Sequence, residues 1–150
     1  MPSKEYEQYE RACAKIREDN TKLMADFEQW LAKKGLGKKT IREHVQNVDF
    51  YVNTFLLYEE AIPASKGATR VSWFLGDWFI RKALWASRSS IRESAASLKK
   101  FYAFMHEQGQ IDAEELQELK ETIKEEMPEW LEAVRDCDDP GSDPLERWGL

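Results

Sequence analysis

The sequence is poor both in the residues that break helices and in those that carry out chemistry. Its 150 residues include 7 Gly, 5 Pro, 2 Cys and 2 His. So little Gly and Pro argues against a strand-and-turn architecture and in favour of long helices. Cys13 and Cys137 show no pairing motif and no metal spacing, so two reduced thiols are expected rather than a disulfide. Two cysteines and two scattered histidines fall short of a zinc site, and no metal or other cofactor is expected. There is no glycine-rich phosphate loop, nucleophile elbow or paired-histidine metal motif. His44 and His106 stand among polar neighbours. Acidic pairs such as Glu114-Glu115 and Glu125-Glu126 read as solvated faces, with no pocket to push two carboxylate pKa values apart. An enzyme is therefore not expected. No stretch approaches the roughly 18 apolar residues of a membrane span. The start, Met1-Pro2-Ser3-Lys4-Glu5, lacks the apolar core of a signal peptide. A cytoplasmic location without membrane contact is the expectation.

What is present is a core and a charge asymmetry. Apolar residues make up 42% of the chain, with six Trp, five Tyr and seven Phe, enough for one all-α domain with a substantial core. The net charge of −6 hides its distribution: residues 1–20 carry −1, residues 21–110 carry +5 and residues 111–150 carry −10. On this basis the chain divides into an N-terminal helical extension (1–20), a mildly basic helical core (21–110), acidic C-terminal helices (111–135) and an acidic tail (136–150).

The hydrophobic periodicity predicts the helices. Tyr6, Tyr9, Cys13, Ile16, Asn20, Leu23, Phe27 and Trp30 alternate spacings of three and four, a heptad seam with a polar interruption at Asn20. It reads as one long helix or two meeting near Asn20. It lies either on its own domain or against another chain, so self-association through the seam stays open. Gly35 ends this segment. Thr40 with Glu43 reads as a capping box opening a second helix, with Ile41, Val45, Val48, Val52 and Phe55 buried. Residues 61–69 read as a loop. A third, aromatic helix spans about Arg70 to Ala83, its rings more a core than a base-stacking platform. A fourth begins between Ser87 and Ser90, with Ser90 and Glu93 as a second capping box, and closes at Gly109. Asp112 caps a fifth helix to about Met127, and Pro128 suits the first turn of a short sixth. From Asp136 on a loosely held tail is expected, in which Leu145-Glu146-Arg147-Trp148 could dock on a protein partner.

The order of motifs in residues 21–110 resembles the N-terminal core-binding (SAM-like) domain of tyrosine recombinases and phage integrases. The resemblance rests on Phe27-Glu28-Gln29-Trp30-Leu31, Lys34 to Ile41, His44, Asn47-Val48, Phe55-Leu56, Val71, Phe74-Leu75, Trp78, Ser89-Ser90-Ile91 and Leu98 to Met105 with Gly109. It implies a compact bundle of four to five core helices that clamps one side of a DNA duplex through its second and fourth helices. The family's catalytic domain, with its tyrosine and His-x-x-Arg motif, has no counterpart here, so the resemblance implies the clamp without the enzyme.

Carried over residue by residue, the DNA contacts implied are Lys38, Lys39, Thr40 and Arg42 on the second helix. On the fourth they are Ser87, Arg88, Ser90, Arg92 and Lys99. At about 100° per residue, Arg88, Arg92 and Lys99 fall within roughly 40° of one another, a basic stripe suited to phosphates. The acidic end departs from the family pattern. It either points away from DNA, folds over the stripe and inhibits binding, or marks a fold kept for protein contacts. Duplex DNA is the expected partner, with a helical protein-interaction module as the alternative.

Overall fold

The computed structural model describes residues 3–138. The first helix, α1 (Lys4–Lys33), is continuous through Asn20. Ser3 opens it, its hydroxyl accepting from the Tyr6 N–H at 3.0 Å. A Schellman turn closes it: Gly35 at φ +88° lets the Gly35 and Leu36 N–H groups reach the carbonyls of Ala32 and Leu31. Beyond the exposed Tyr6, the heptad seam is covered wholly or in part from within the chain. Tyr9 donates its hydroxyl to the carbonyls of Leu57 and Tyr58, and Cys13 is buried. Asn20 is 1% exposed, its amide donating to the Asn53 side chain at 2.8 Å and the Val52 carbonyl at 3.3 Å. The polar residue in the seam is thus an internal tie. The division expected at residue 20 falls inside a helix.

Helix α2 (Lys38–Phe50) begins after Gly37, which offers no side-chain cap. The expected Thr40–Glu43 capping box is therefore corrected: the helix starts two residues earlier, and Thr40 lies within its first turn. A π turn, Tyr51–Phe55, prolongs it. Two 3-10 turns, Ala64–Lys66 and Ala68–Arg70, lead into the short α3 (Val71–Trp73), a second π turn (Phe74–Trp78) and α4 (Phe79–Lys82). The last three, Val71 to Lys82, correspond to the expected third helix, and the 3-10 turns lie almost wholly in the segment expected as a loop, 61–69. Phe74, Trp78 and Phe79 pack against Phe50, Tyr51 and Phe55 at ring separations of 4.8 to 6.1 Å, so the rings are core, apart from the 42% exposed Trp73.

Helix α5 (Arg88–Glu107) starts from a reciprocal box between Ser87 and Ser90, not the expected Ser90–Glu93 pair. It ends on a second Schellman turn at Gly109, φ +76°. Asp112 caps α6 (Ala113–Asp138), accepting from the Glu115 N–H at 2.8 Å. Pro128 lies inside α6 rather than opening a new helix. Its missing N–H removes one rung, and Trp130, Leu131 and Val134 hold the next turn in the core. The helix runs past Asp136, where a tail was expected. Expectations for residues 139–150, the Leu145–Trp148 segment among them, lie outside the described residues.

The result is an all-α bundle in which α5 packs against α1, α2, α6 and the second π turn. One buried cluster runs from Met24 to Val134 and includes Leu116, Leu119 and Ile123, so the acidic helix is part of the core. No helix among the described residues is long and apolar enough to cross a membrane.

The link between the helical halves depends on one close approach. Tyr51 donates to the Gly67 carbonyl at 2.6 Å and Tyr102 to the Ala64 carbonyl at 2.9 Å. Burial pushes both phenol pKa values up, so both remain donors at any physiological pH. A Cβ on Gly67 would sit 2.5 Å from the Tyr102 hydroxyl and 2.7 Å from Leu56. Gly67→Ala is therefore expected to destabilise the fold by about 1–3 kcal/mol. Denaturant unfolding checks this, with Gly37→Ala, where nothing lies within 4 Å of the added carbon, as the comparison.

Candidate nucleic-acid interface

The two expected sets of contact residues fare differently. Helices α2 and α5 meet through a polar clasp in the middle of each. The Ser97 hydroxyl donates to the Glu93 carbonyl at 3.0 Å and accepts from Asn47 at 3.0 Å. Its remaining lone pair faces His44 Nδ1 at 2.7 Å, which assigns the proton to that nitrogen. His44 and Asn47, both part of the family-like pattern, thus join two helices.

Around this clasp the basic residues point apart. Counting about 100° per residue, Arg88, Arg92 and Lys99 lie roughly 140–180° around α5 from Ser97, away from α2. Lys38 and Arg42 project from the far side of α2 into a cleft of about 350 Å³ shared with Glu28 of α1. Lys39 and Thr40 are exposed beside them. The structure does not gather the α2 and α5 sets into one patch. Ser87 and Ser90 are spent on the helix cap, the Ser90 N–H donating to Ser87 Oγ at 3.0 Å and the Ser87 N–H to Ser90 Oγ at 2.8 Å.

The neighbour of the α5 stripe is α6. His106 shares the angular position of Arg88 and Lys99, and its Nδ1 lies 3.2 Å from the Ile111 carbonyl at the start of that helix. The other side of α6 rests on the third helical segment, through Glu126 on the Ser72 hydroxyl and Trp130 against Gly76. Relative to buried Ile123, Glu126 lies roughly 60° to that side, while Lys120 and Lys124 lie roughly 60–100° to the other, towards α5. Glu114, Glu118, Glu121, Glu125, Glu129 and Glu132 lie roughly 120–180° away, on the outer arc. The acidic helix therefore presents its lysines along the edge that carries Arg88, Arg92 and Lys99. All five side chains are exposed, and none has an ion-pair partner among the described residues, where Arg11, Lys15 and Arg81 do.

Sequence reading missed Lys120 and Lys124. Their i,i+4 spacing opposite a run of glutamates was the available signal, hidden by the net charge of the segment. Elsewhere, a concavity of about 550 Å³ between α1 and α5 is bordered by Glu18, Asp19 and Asp26 against a single cation, Lys22, a net negative lining that disfavours phosphate. Among the described residues no three His, Cys, Asp or Glu side chains are grouped to hold a metal ion. No family model matches the chain, and neither a curated protein nor a solved structure matches it.

His44 gives a pH test of the clasp. Burial, and next the Lys100 ammonium, hold its pKa below 6.5, with Glu43 opposing. The unfolded chain therefore takes up this proton first. The stability conferred by neutral His44 is complete above pH 6.5 and falls as the pH drops through that value towards the lower folded pKa. His44→Gln is expected to remove this part of the acid destabilisation. Urea midpoints above and below pH 6.5 check it: an unchanged pH slope in the variant would contradict the burial of a neutral His44 between α2 and α5.

Proposed function

We propose that this protein is a non-catalytic domain that binds duplex DNA by seating phosphates along the shared edge of α5 and α6. What carries the reading is the alignment of five exposed cations, Arg88, Arg92, Lys99, Lys120 and Lys124, without ion-pair partners among the described residues, while most α6 carboxylates lie on the solvent arc beyond the two lysines. Such a row supplies backbone contacts and little base readout, so binding is indifferent to sequence and sensitive to salt. The reading keeps the family-like role of the helix bearing Arg88, Arg92 and Lys99. It sets aside the α2 set, of which Lys38, Lys39 and Arg42 point elsewhere and Thr40 brings no charge, and it sets aside Ser87 and Ser90.

A second reading, a protein-interaction module, is favoured by Tyr58, Trp73, Leu84 and Trp85, which are 42–101% exposed. The α1 seam speaks for it only at its start, where Tyr6 is 52% exposed, since Cys13 and Asn20 are buried within the chain.

Arg92→Ala and Lys124→Ala should each weaken binding of the full chain to duplexes of unrelated sequence by similar factors. Each should also lower the slope of log affinity against log salt by about 0.9 for every phosphate no longer neutralised. Lys38→Ala and Arg42→Ala should leave both unchanged. If a measurable DNA affinity survived the first pair intact, the α5–α6 edge would not be the binding face.

A further inference from the structure

The basic stripe of α5 runs on to a titratable side chain. Heptad steps lead from Arg92 to Lys99 and then to His106. At about 100° per residue, His106 lies within roughly 40° of Arg88, Arg92 and Lys99. It is half-buried in the last turn of α5, the end of a helix that favours positive charge. Its Nδ1 lies 3.2 Å from the Ile111 carbonyl. A carbonyl only accepts, so this nitrogen keeps its proton, and the neutral ring carries its lone pair on Nε2. Among the described residues, Trp78 Nε1 is the one buried side-chain nitrogen or oxygen without a hydrogen-bond partner. His106 Nε2 has no such partner there either, and is therefore open to solvent.

No carboxylate lies within ion-pair distance of the ring among the described residues. On its own helix, Lys99 is two turns back, and Glu107 is turned to α1, accepting from Trp30 Nε1 at 3.0 Å. On α6, Asp112 is engaged as the helix cap, and Lys120 and Lys124 lie further along the shared edge. Asp77 of the second π turn is bound to Arg81. Helices α1 and α2 meet α5 at Phe104 and Ser97, roughly 160–180° around from His106. There Lys34 lies over the Trp30 ring, and His44 faces Ser97. We propose that His106 is a sixth cation of the DNA-binding edge, present only when Nε2 is protonated, so that affinity for duplex DNA rises as the pH falls. This role rests on the α5–α6 edge being the binding face. Neutral, Nε2 sets a lone pair against a phosphate oxygen; protonated, it donates a charge-assisted hydrogen bond to it. Histidine is the side chain whose charge ordinarily changes between about pH 5 and 8, whereas lysine and arginine stay charged throughout.

The test measures the affinity of the full chain for a generic duplex, and its salt dependence, at about pH 6 and about pH 8. One further phosphate neutralised at the lower pH should steepen the salt slope by about 0.9, which at about 0.1 M salt is a gain of about eightfold in affinity. His106→Gln, which can still donate to the Ile111 carbonyl, should bind at both pH values as the unaltered chain does at the higher one. His106→Arg should bind at both as the unaltered chain does at the lower one, and it remains the test if the glutamine destabilises the fold. Measurable binding that does not change with pH would overturn the proposal and leave the α5–α6 edge standing. So would a pH dependence that persists in either His106 variant, or one that disappears in His44→Gln. Absence of binding at both pH values would overturn the reading of the edge, and the role of His106 with it.

Discussion

The burial of α5 is the constraint from which the other features follow. Phe101 and Phe104 press on Phe27 of α1 at 5.4 and 5.6 Å, Ser97 is clasped by α2, and Ile91, Ala95, Leu98 and Tyr102 are fully covered. Each large side chain buried in this way contributes about 1.5–3 kcal/mol, so the rotation of the helix about its axis is set by packing. The arc left to solvent spans roughly 140° and carries Glu93, Lys100 and Glu107 as well as the basic stripe. Arg88, Arg92 and Lys99 lie on its α6 edge because the other sides of the helix are already occupied.

In the proposed DNA-binding reading, helix α6 by its arrangement reconciles a net charge of −6 with an anionic partner. It is segregated twice, apolar from polar and basic from acidic. A helix with its side chains is about 10–12 Å across, and the Debye length at physiological salt is about 8 Å. Glu118 and Glu129, roughly 120–180° around α6 from the lysines, are thus about one screening length further from the α5–α6 edge than Lys120 and Lys124 are, whereas Glu121 lies only roughly 60° from Lys124.

Much of the fold was legible in the sequence, because helix period, the C-terminal glycines Gly35 and Gly109 and the Asp112 cap act locally. What was not legible depended on tertiary partners or on competition between nearby signals. Thr40–Glu43 satisfies a capping pattern, yet Gly37 already opens α2; Ser90 pairs back to Ser87 rather than forward to Glu93. Pro128 resembles a helix start, but the core on either side carries the helix through it. Asn20 looked like a break or a register signal for another chain until Asn53 and the Val52 carbonyl came opposite it. For the site, periodicity alone aligns Arg88, Arg92 and Lys99. Their association with Lys120 and Lys124, and the separation of Lys38 and Arg42, depend on which helices lie side by side, and no local pattern encodes that.

The most direct measurement is a ¹H–¹⁵N spectrum of the full chain titrated with a short generic duplex at low salt. The account requires salt-reversible shifts concentrated between Arg88 and Lys99 and around Lys120 and Lys124, with the start of α2 unmoved. Shifts centred on Lys38 to Arg42, or none at tens of micromolar, where non-specific binding of about 10⁻⁴–10⁻⁶ M would register, would contradict it.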